Sequence, residues 1–106
     1  ASPTAPPVAL VGDVERGKGL AAQCLACHST TGAAQVGPTW QGLYGKTETF
    51  DDGSTAVVDD AYLRESIVNP TAKTVQGFPA GVMPPYNYLT DQQIADLIAY
   101  IKSLQD

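Results

Sequence analysis

Cys24-Leu25-Ala26-Cys27-His28 is the stretch on which the reading of this chain turns. The only two cysteines and the only histidine of 106 residues are spent here. Two thiols this close together cannot close a long loop, so no disulfide framework is available. A thioredoxin-like redox pair would sit in a βαβ context, and the flanking sequence shows none. A structural zinc site wants four Cys or His ligands, and the chain owns too few. What fits is C-x-x-C-H, the attachment motif for a c-type haem. Two thiols near a helix end can reach both vinyl groups of one porphyrin. The next residue then aims its imidazole at the iron, so one short stretch makes two thioether bonds and one axial bond.

Downstream, two features complete that reading. Met83, the only methionine, stands in Gly81-Val82-Met83-Pro84-Pro85. Methionine often fills a core gap. Flanked by Val and Pro-Pro, however, this one is badly placed for a helix core. Its thioether is a soft ligand suited to an iron site. His and Met together raise the reduction potential and suit an electron carrier. With both axial positions filled there is little room for substrate, so an enzyme is not expected. Gly37-Pro38 follows the motif. A ligating His donates its other ring N–H to a carbonyl or carboxylate. The Pro38 carbonyl is one candidate for that acceptor, and an ordinary turn proline is the other reading.

The helices are placed by their caps. Asp13 is a candidate N-cap for a helix running to the Cys24 region. Gly17 and Gly19 weaken that helix, and one of them is expected to admit a second helix close by. Asp51-Asp52-Gly53-Ser54 between Thr47–Phe50 and Thr55–Val58 predicts a β-hairpin. Its acidic pair belongs to the turn. A second helix is expected over roughly residues 60–68, capped by Asp59 or Asp60 and ended by Asn69-Pro70. Residues 29–46, with short turns near Leu43 and Tyr44, and the proline-rich 70–89 read as loops. Thr90 with Gln93 forms a capping box. Ile94, Leu97, Ile98, Ile101 and Leu104 then recur at helical spacing. Trp40, Tyr44 and Tyr62 read as core aromatics, with haem contact as the alternative. Arg64 and Lys73 read as solvated surface, with propionate pairing as the alternative.

Composition bounds the rest. The chain is one small domain with 6 Lys plus Arg against 11 Asp plus Glu, a net charge of -5. Phosphate binding needs the opposite sign, so nucleic acid is not an expected partner. No apolar run reaches membrane-spanning length. Neither a signal peptide nor an initiating Met is present, and Ala1 is expected to start a mature or excised fragment. Residues 1–11, ASPTAPPVALV, carry three prolines and read as an extended tether to a domain over 12–106.

The motifs together resemble the class I c-type cytochromes over residues 12–104. The pattern is Gly-Asp-Val-Glu-Arg-Gly-Lys, Cys-Leu-Ala-Cys-His, Gly-Pro-Thr-Trp-Gln-Gly-Leu-Tyr-Gly, Tyr-Leu-Arg-Glu-Ser-Ile-Val-Asn-Pro and Val-Met-Pro-Pro-Tyr. The resemblance implies an all-α fold with one small hairpin near residues 47–58. Its N- and C-terminal helices would cross around one covalent haem c, with Gly17 against Leu97 and Tyr100. It implies His28 and Met83 as the axial pair, the Pro38 carbonyl as the group orienting His28, and Trp40, Leu63 and Ile67 as haem walls. Departures are Leu20, where the family often has an aromatic, a Gly17 one residue closer to Cys24 than in the mitochondrial carriers, a hairpin without their tryptophan, and the acidic charge.

A narrower likeness rests on Phe50-Asp-Asp-Gly-Ser-Thr, Tyr62 to Pro70, Gly77-Phe-Pro, Met83-Pro-Pro-Tyr86 and Leu97 to Leu104. These segments are similar to the cytochrome c domain fused to subunit II of some bacterial haem-copper oxidases. That likeness implies an electron relay to a dinuclear copper centre, fed by an upstream donor protein. It would act on the periplasmic or outer face of the cytoplasmic membrane, attached only through a tethered parent chain. A free periplasmic carrier needs the same residues, and a haem enzyme or gas sensor would need Met83 off the iron. The expected haem-edge rim is apolar: Ala33, Ala34 and Val36 on one side, Val82, Pro84, Pro85 and Tyr86 on the other.

Overall fold

The computed structural model describes residues 11–25, 28–31, 37, 39–78, 81 and 83–105. Three helices carry it: α1 (Val14–Ala21), α2 (Asp60–Val68) and α3 (Asp91–Lys102). A two-stranded sheet of β1 (Thr47–Thr49) and β2 (Thr55–Val57) and a 3-10 turn at Pro70–Ala72 complete it. The expected tether over residues 1–11 falls almost wholly outside the described residues.

Each helix begins where a side chain satisfies a free backbone N–H. Asp13 accepts from Arg16 N at 2.8 Å, and Asp59 accepts from Tyr62 N at 2.8 Å. Thr90 and Gln93 close the expected capping box at 3.1 and 2.9 Å. The first helix stops at Ala21, short of Cys24. Turn hydrogen bonds from Cys24 N and Leu25 N to the Ala21 carbonyl, at 2.8 and 3.2 Å, carry the chain onward to the motif.

In the hairpin, Glu48 pairs with Ala56 and Thr49 with Thr55. Gly53 supplies the positive φ (87°) of its turn. The stretch read as loop after Asn69 is partly ordered by its backbone. Pro70 cannot continue α2 but suits the first position of a 3-10 turn. Val75 then bridges to Phe50, flanked by Asp51 N donating to the Thr74 carbonyl and Gln76 N to that of Thr49, both at 2.9 Å.

The crossing of α1 and α3 organises the molecule. A Cβ built on Gly17 would overlap the Asp96 carbonyl oxygen and stand 2.9 Å from Tyr100 Cβ. One on Gly19 would meet nothing within 4 Å. Gly17 is therefore the crossing glycine, against Tyr100 as expected. Its other contact is the backbone of Asp96, while Leu97 turns into the core at 1% exposure. Gly12, absent from the sequence reading, meets α3 the same way at Ala95 and Ala99. Asp96 fastens the crossing. Buried at 2% exposure, its carboxylate accepts from Arg16 Nε at 2.9 Å, Asp13 N at 2.8 Å and Gln92 Nε2 at 2.9 Å. The Arg16 hydrogen bond, more than any other contact, holds the Asp96 carboxyl down at about 2.

Candidate haem site

Between α2, the hairpin and the segment leading out of α1 lies a large cleft of about 1130 Å³, its open mouth included. Cys24 and His28 line it from the motif, Trp40 and Leu43 from the following loop, Leu63 and Ile67 from α2. Met83 and Pro84 line it from far along the chain. The cleft thus gathers every described residue expected at the site: Cys24, His28, Trp40, Leu63, Ile67 and Met83. Cys27 and Pro38, and with them the proposed acceptor for His28, lie outside the described residues.

Local structure aims these groups. Cys24 is buried, and its carbonyl accepts from His28 N at 3.0 Å, which holds the two ends of the motif together. The imidazole is held between two surfaces. Trp40 stacks on it with ring centroids 5.2 Å apart and planes 21° from parallel. On Gly37, a Cβ would come within 2.5 Å of His28 Cε1. Only glycine leaves room for the ring there, so the ring cannot tilt far. Trp40 is itself set by Trp40 N donating to the Ser29 carbonyl at 2.8 Å and by Tyr100, edge-on at 6.3 Å. Leu63 and Ile67 stand four apart on α2 and present one buried apolar face, at 3% and 6% exposure. Tyr86 N donates to the Ile67 carbonyl at 2.8 Å, which ties the segment after Met83 onto that helix.

The donor set fits a c-type haem. The walls are mainly apolar, as a porphyrin face requires. A thiol and an imidazole come from one short stretch of chain, and a thioether lines the same space. A sequence profile of the family described as cytochrome c matches residues 14–105.

The chain belongs to the cytochrome c family.

A solved structure, cytochrome cH from Methylobacterium extorquens, is 30% identical, with a TM-score of 0.64. The match covers 87% of this chain and 99% of that one. No curated protein matches the chain. This cytochrome is accordingly an electron-transfer protein with a covalently bound haem c, built on the class I fold with its small antiparallel sheet.

Several residues of the cytochrome's cleft escape the motif. Leu43 lines it, whereas its neighbour Tyr44 turns away beneath Lys102, whose Nζ lies 4.9 Å from the ring centroid. Tyr62 lines the cleft and stacks on Phe50 at 5.9 Å. Burial first, and the Glu48 carboxylate second, push its phenol above the ordinary value. Lys73 also reaches the cleft, with Nζ 2.6 Å from Glu65 Oε1, while Arg64 pairs with Asp91 on the surface at 2.8 Å. Glu48, given no role by the sequence reading, lines the cleft and is buried at 5% exposure. The signal was available: in Thr47-Glu48-Thr49-Phe50, period-two alternation puts Glu48 on the face of Phe50.

Proposed function

We propose that this cytochrome moves single electrons through one haem as the tethered relay domain of a terminal oxidase, passing them to a dinuclear copper centre. The observation that carries the electron-transfer part is the gathering of Cys24, His28 and Met83 on one apolar cleft, with His28 clamped by Trp40 and Gly37. Cys24 and Cys27 would hold the haem, His28 and Met83 would ligate its iron, and the Pro38 carbonyl would accept the second ring N–H of His28. Once bound, the haem supplies reversible one-electron chemistry. The protein's work is to orient the imidazole, keep the thioether in reach and exclude water with Trp40, Leu43, Leu63 and Ile67.

The relay role rests on the likeness of residues 50–55, 62–70 and 83–86 to subunit II domains and on the proline-rich residues 1–11. The oxidase core and an upstream donor protein would be its partners. The site of action would be the periplasmic or outer membrane face. Among the described residues, no helix is long and apolar enough to cross a membrane. A free carrier is the second reading, favoured by the match to a solved chain almost coextensive with this domain.

Charge separates the two. A diffusing carrier gains from electrostatic steering, which salt screens. A tethered domain has its effective concentration set by its linker. In the intact oxidase, transfer should be independent of protein concentration, change little with ionic strength, and slow when the rim is charged by Val82→Lys or Pro85→Glu. Stopped-flow kinetics at low and high salt check this. A steep salt dependence with no effect of the rim charges favours the free carrier.

A further inference from the structure

Behind His28 the structure sets two aromatic rings in a row. Trp40 stacks on the imidazole at 5.2 Å with planes 21° apart, and Tyr100 meets Trp40 edge-on at 6.3 Å and 79°. His28 and Trp40 line the cleft, whereas Tyr100 stands behind them in the core at 9% exposure. A T-shaped pair sets the positive edge of one ring on the negative face of the other, so it fixes direction as well as distance. Tyr100 itself has little freedom to follow a moving indole. It belongs to α3, and a Cβ on Gly17 of α1 would stand 2.9 Å from its own Cβ. Its carbonyl accepts from Ser103 Oγ at 2.5 Å. Trp40 is anchored through its backbone: its N–H donates to the Ser29 carbonyl at 2.8 Å, and its carbonyl accepts from Leu43 N at 3.1 Å. Those bonds fix where the indole starts and leave its plane to the rings on either side.

We infer that Tyr100 is a positioning residue for the iron's histidine: acting through Trp40, it sets the plane of the His28 imidazole. That role rests on the haem occupying the cleft and deepens the electron-transfer reading. A hydrogen bond to one ring nitrogen holds one edge of an imidazole, whereas a ring stacked on its face sets its plane. The plane matters because the imidazole π system splits the energies of the iron d orbitals aligned with it. In the oxidised state that splitting decides where on the porphyrin the unpaired electron spreads, and so which haem edge couples best to a partner. Groups one layer behind a metal ligand tune a metal in this way. The α1–α3 crossing thereby reaches the iron: Gly17 backs Tyr100, Tyr100 backs Trp40, and Trp40 backs His28.

The test is the proton NMR spectrum of the oxidised, haem-loaded protein, in which the pattern of haem-methyl shifts reports how the axial ligands are oriented. Tyr100→Leu, which removes the ring, should change the spacing or order of those resonances. Tyr100→Phe keeps the ring and should keep the wild-type pattern. Ile94→Val trims a buried side chain of the same helix outside the cleft lining. It should keep the pattern too, although it lowers the melting midpoint. In a Trp40→Leu background, where the middle ring is gone, adding Tyr100→Leu should change nothing further, because residues that act through one another are not additive. An unchanged pattern in Tyr100→Leu overturns the inference. So does an equal change in Tyr100→Phe or in Ile94→Val, which would report a general loosening of the fold. A full second change in the double variant also overturns it, since Tyr100 would then reach the iron by another route. If Tyr100→Leu does not fold, Tyr100→Met, an unbranched side chain that fills irregular gaps, takes its place with the same outcomes. Failure of the haem assignment would look different: protein with no bound haem shows no haem-methyl resonances at all.

Discussion

At Gly37, one missing methyl group decides whether the imidazole can lie flat against its neighbours. His28 is gripped by Gly37 and Trp40, and that rigidity would fix one side of the iron. The other side would depend on Met83, which lines the same cleft and whose loop is stiffened by Pro84 and Pro85. Replacing Met83 with Ala should remove the weak sulfur-to-iron charge-transfer band of the oxidised protein. It should also admit external ligands such as carbon monoxide in the reduced state, and lower the potential by a substantial part of the about 0.8 V that axial ligands command. Absorption spectroscopy and potentiometry check this together. A variant that keeps the band and the potential shows that the sulfur does not ligate the iron.

Among the elements, the α1–α3 crossing leaves substitutions the least room. Gly17 lies against the Asp96 backbone and Tyr100 Cβ, whereas Gly19 faces open space. Gly17→Leu should therefore cost more than the about 1–3 kcal/mol typical of overpacking, because backbone cannot yield as a side chain does. Gly19→Leu should be neutral or slightly stabilising through helix propensity. Thermal melts of both variants test the difference, and equal effects would misplace the crossing. Asp96 gives the same contact a pH dependence. Its folded value of about 2 lies below that of the unfolded chain, so its stabilisation is complete above about pH 4 and is lost as pH falls toward 2. Arg16 is 60% exposed, so solvent screens part of the gain. Asp96→Asn should lower stability at neutral pH by about 1–3 kcal/mol, chiefly through weakened hydrogen bonds. It should also flatten the acid limb of the stability curve, as denaturant titrations at several pH values would show.

For the molecule as a whole, the cleft lies where a larger protein would keep its core. Trp40, Leu43, Leu63, Ile67 and Ile101 all border it, so the haem is as much a packing element as a redox centre. A domain of this size has a modest core of its own, here built on Ala21, Val58, Ile94, Leu97 and Ile101. The double variant Cys24→Ala, Cys27→Ala, which cannot attach haem covalently, should lose its near-ultraviolet circular dichroism and its cooperative melt. It should retain part of the helical signal, as in a compact state without fixed packing. A haem-free variant that melts as sharply as wild type would show that α1, α3 and the hairpin suffice alone.

Much of this was legible from residues alone. Cys24 to His28 named the cofactor because thioether attachment tolerates almost no other spacing. Asp13, Asp59 and the Thr90–Gln93 box placed the helix starts because capping is local chemistry, and Asp-Gly placed the hairpin for the same reason. What sequence left undecided depends on groups distant along the chain. Residues alone left Gly17 and Gly19 open, with only the resemblance choosing Gly17, because which of them meets α3 depends on the rotation of α1 about its own axis. The roles of Gly12 and Asp96 depend on the same packing. Order after Pro70 comes from Val75 finding Phe50. Glu48 comes to line the cleft only when the hairpin packs beside α2, because local alternation says which face a residue shares and tertiary packing alone says what that face touches.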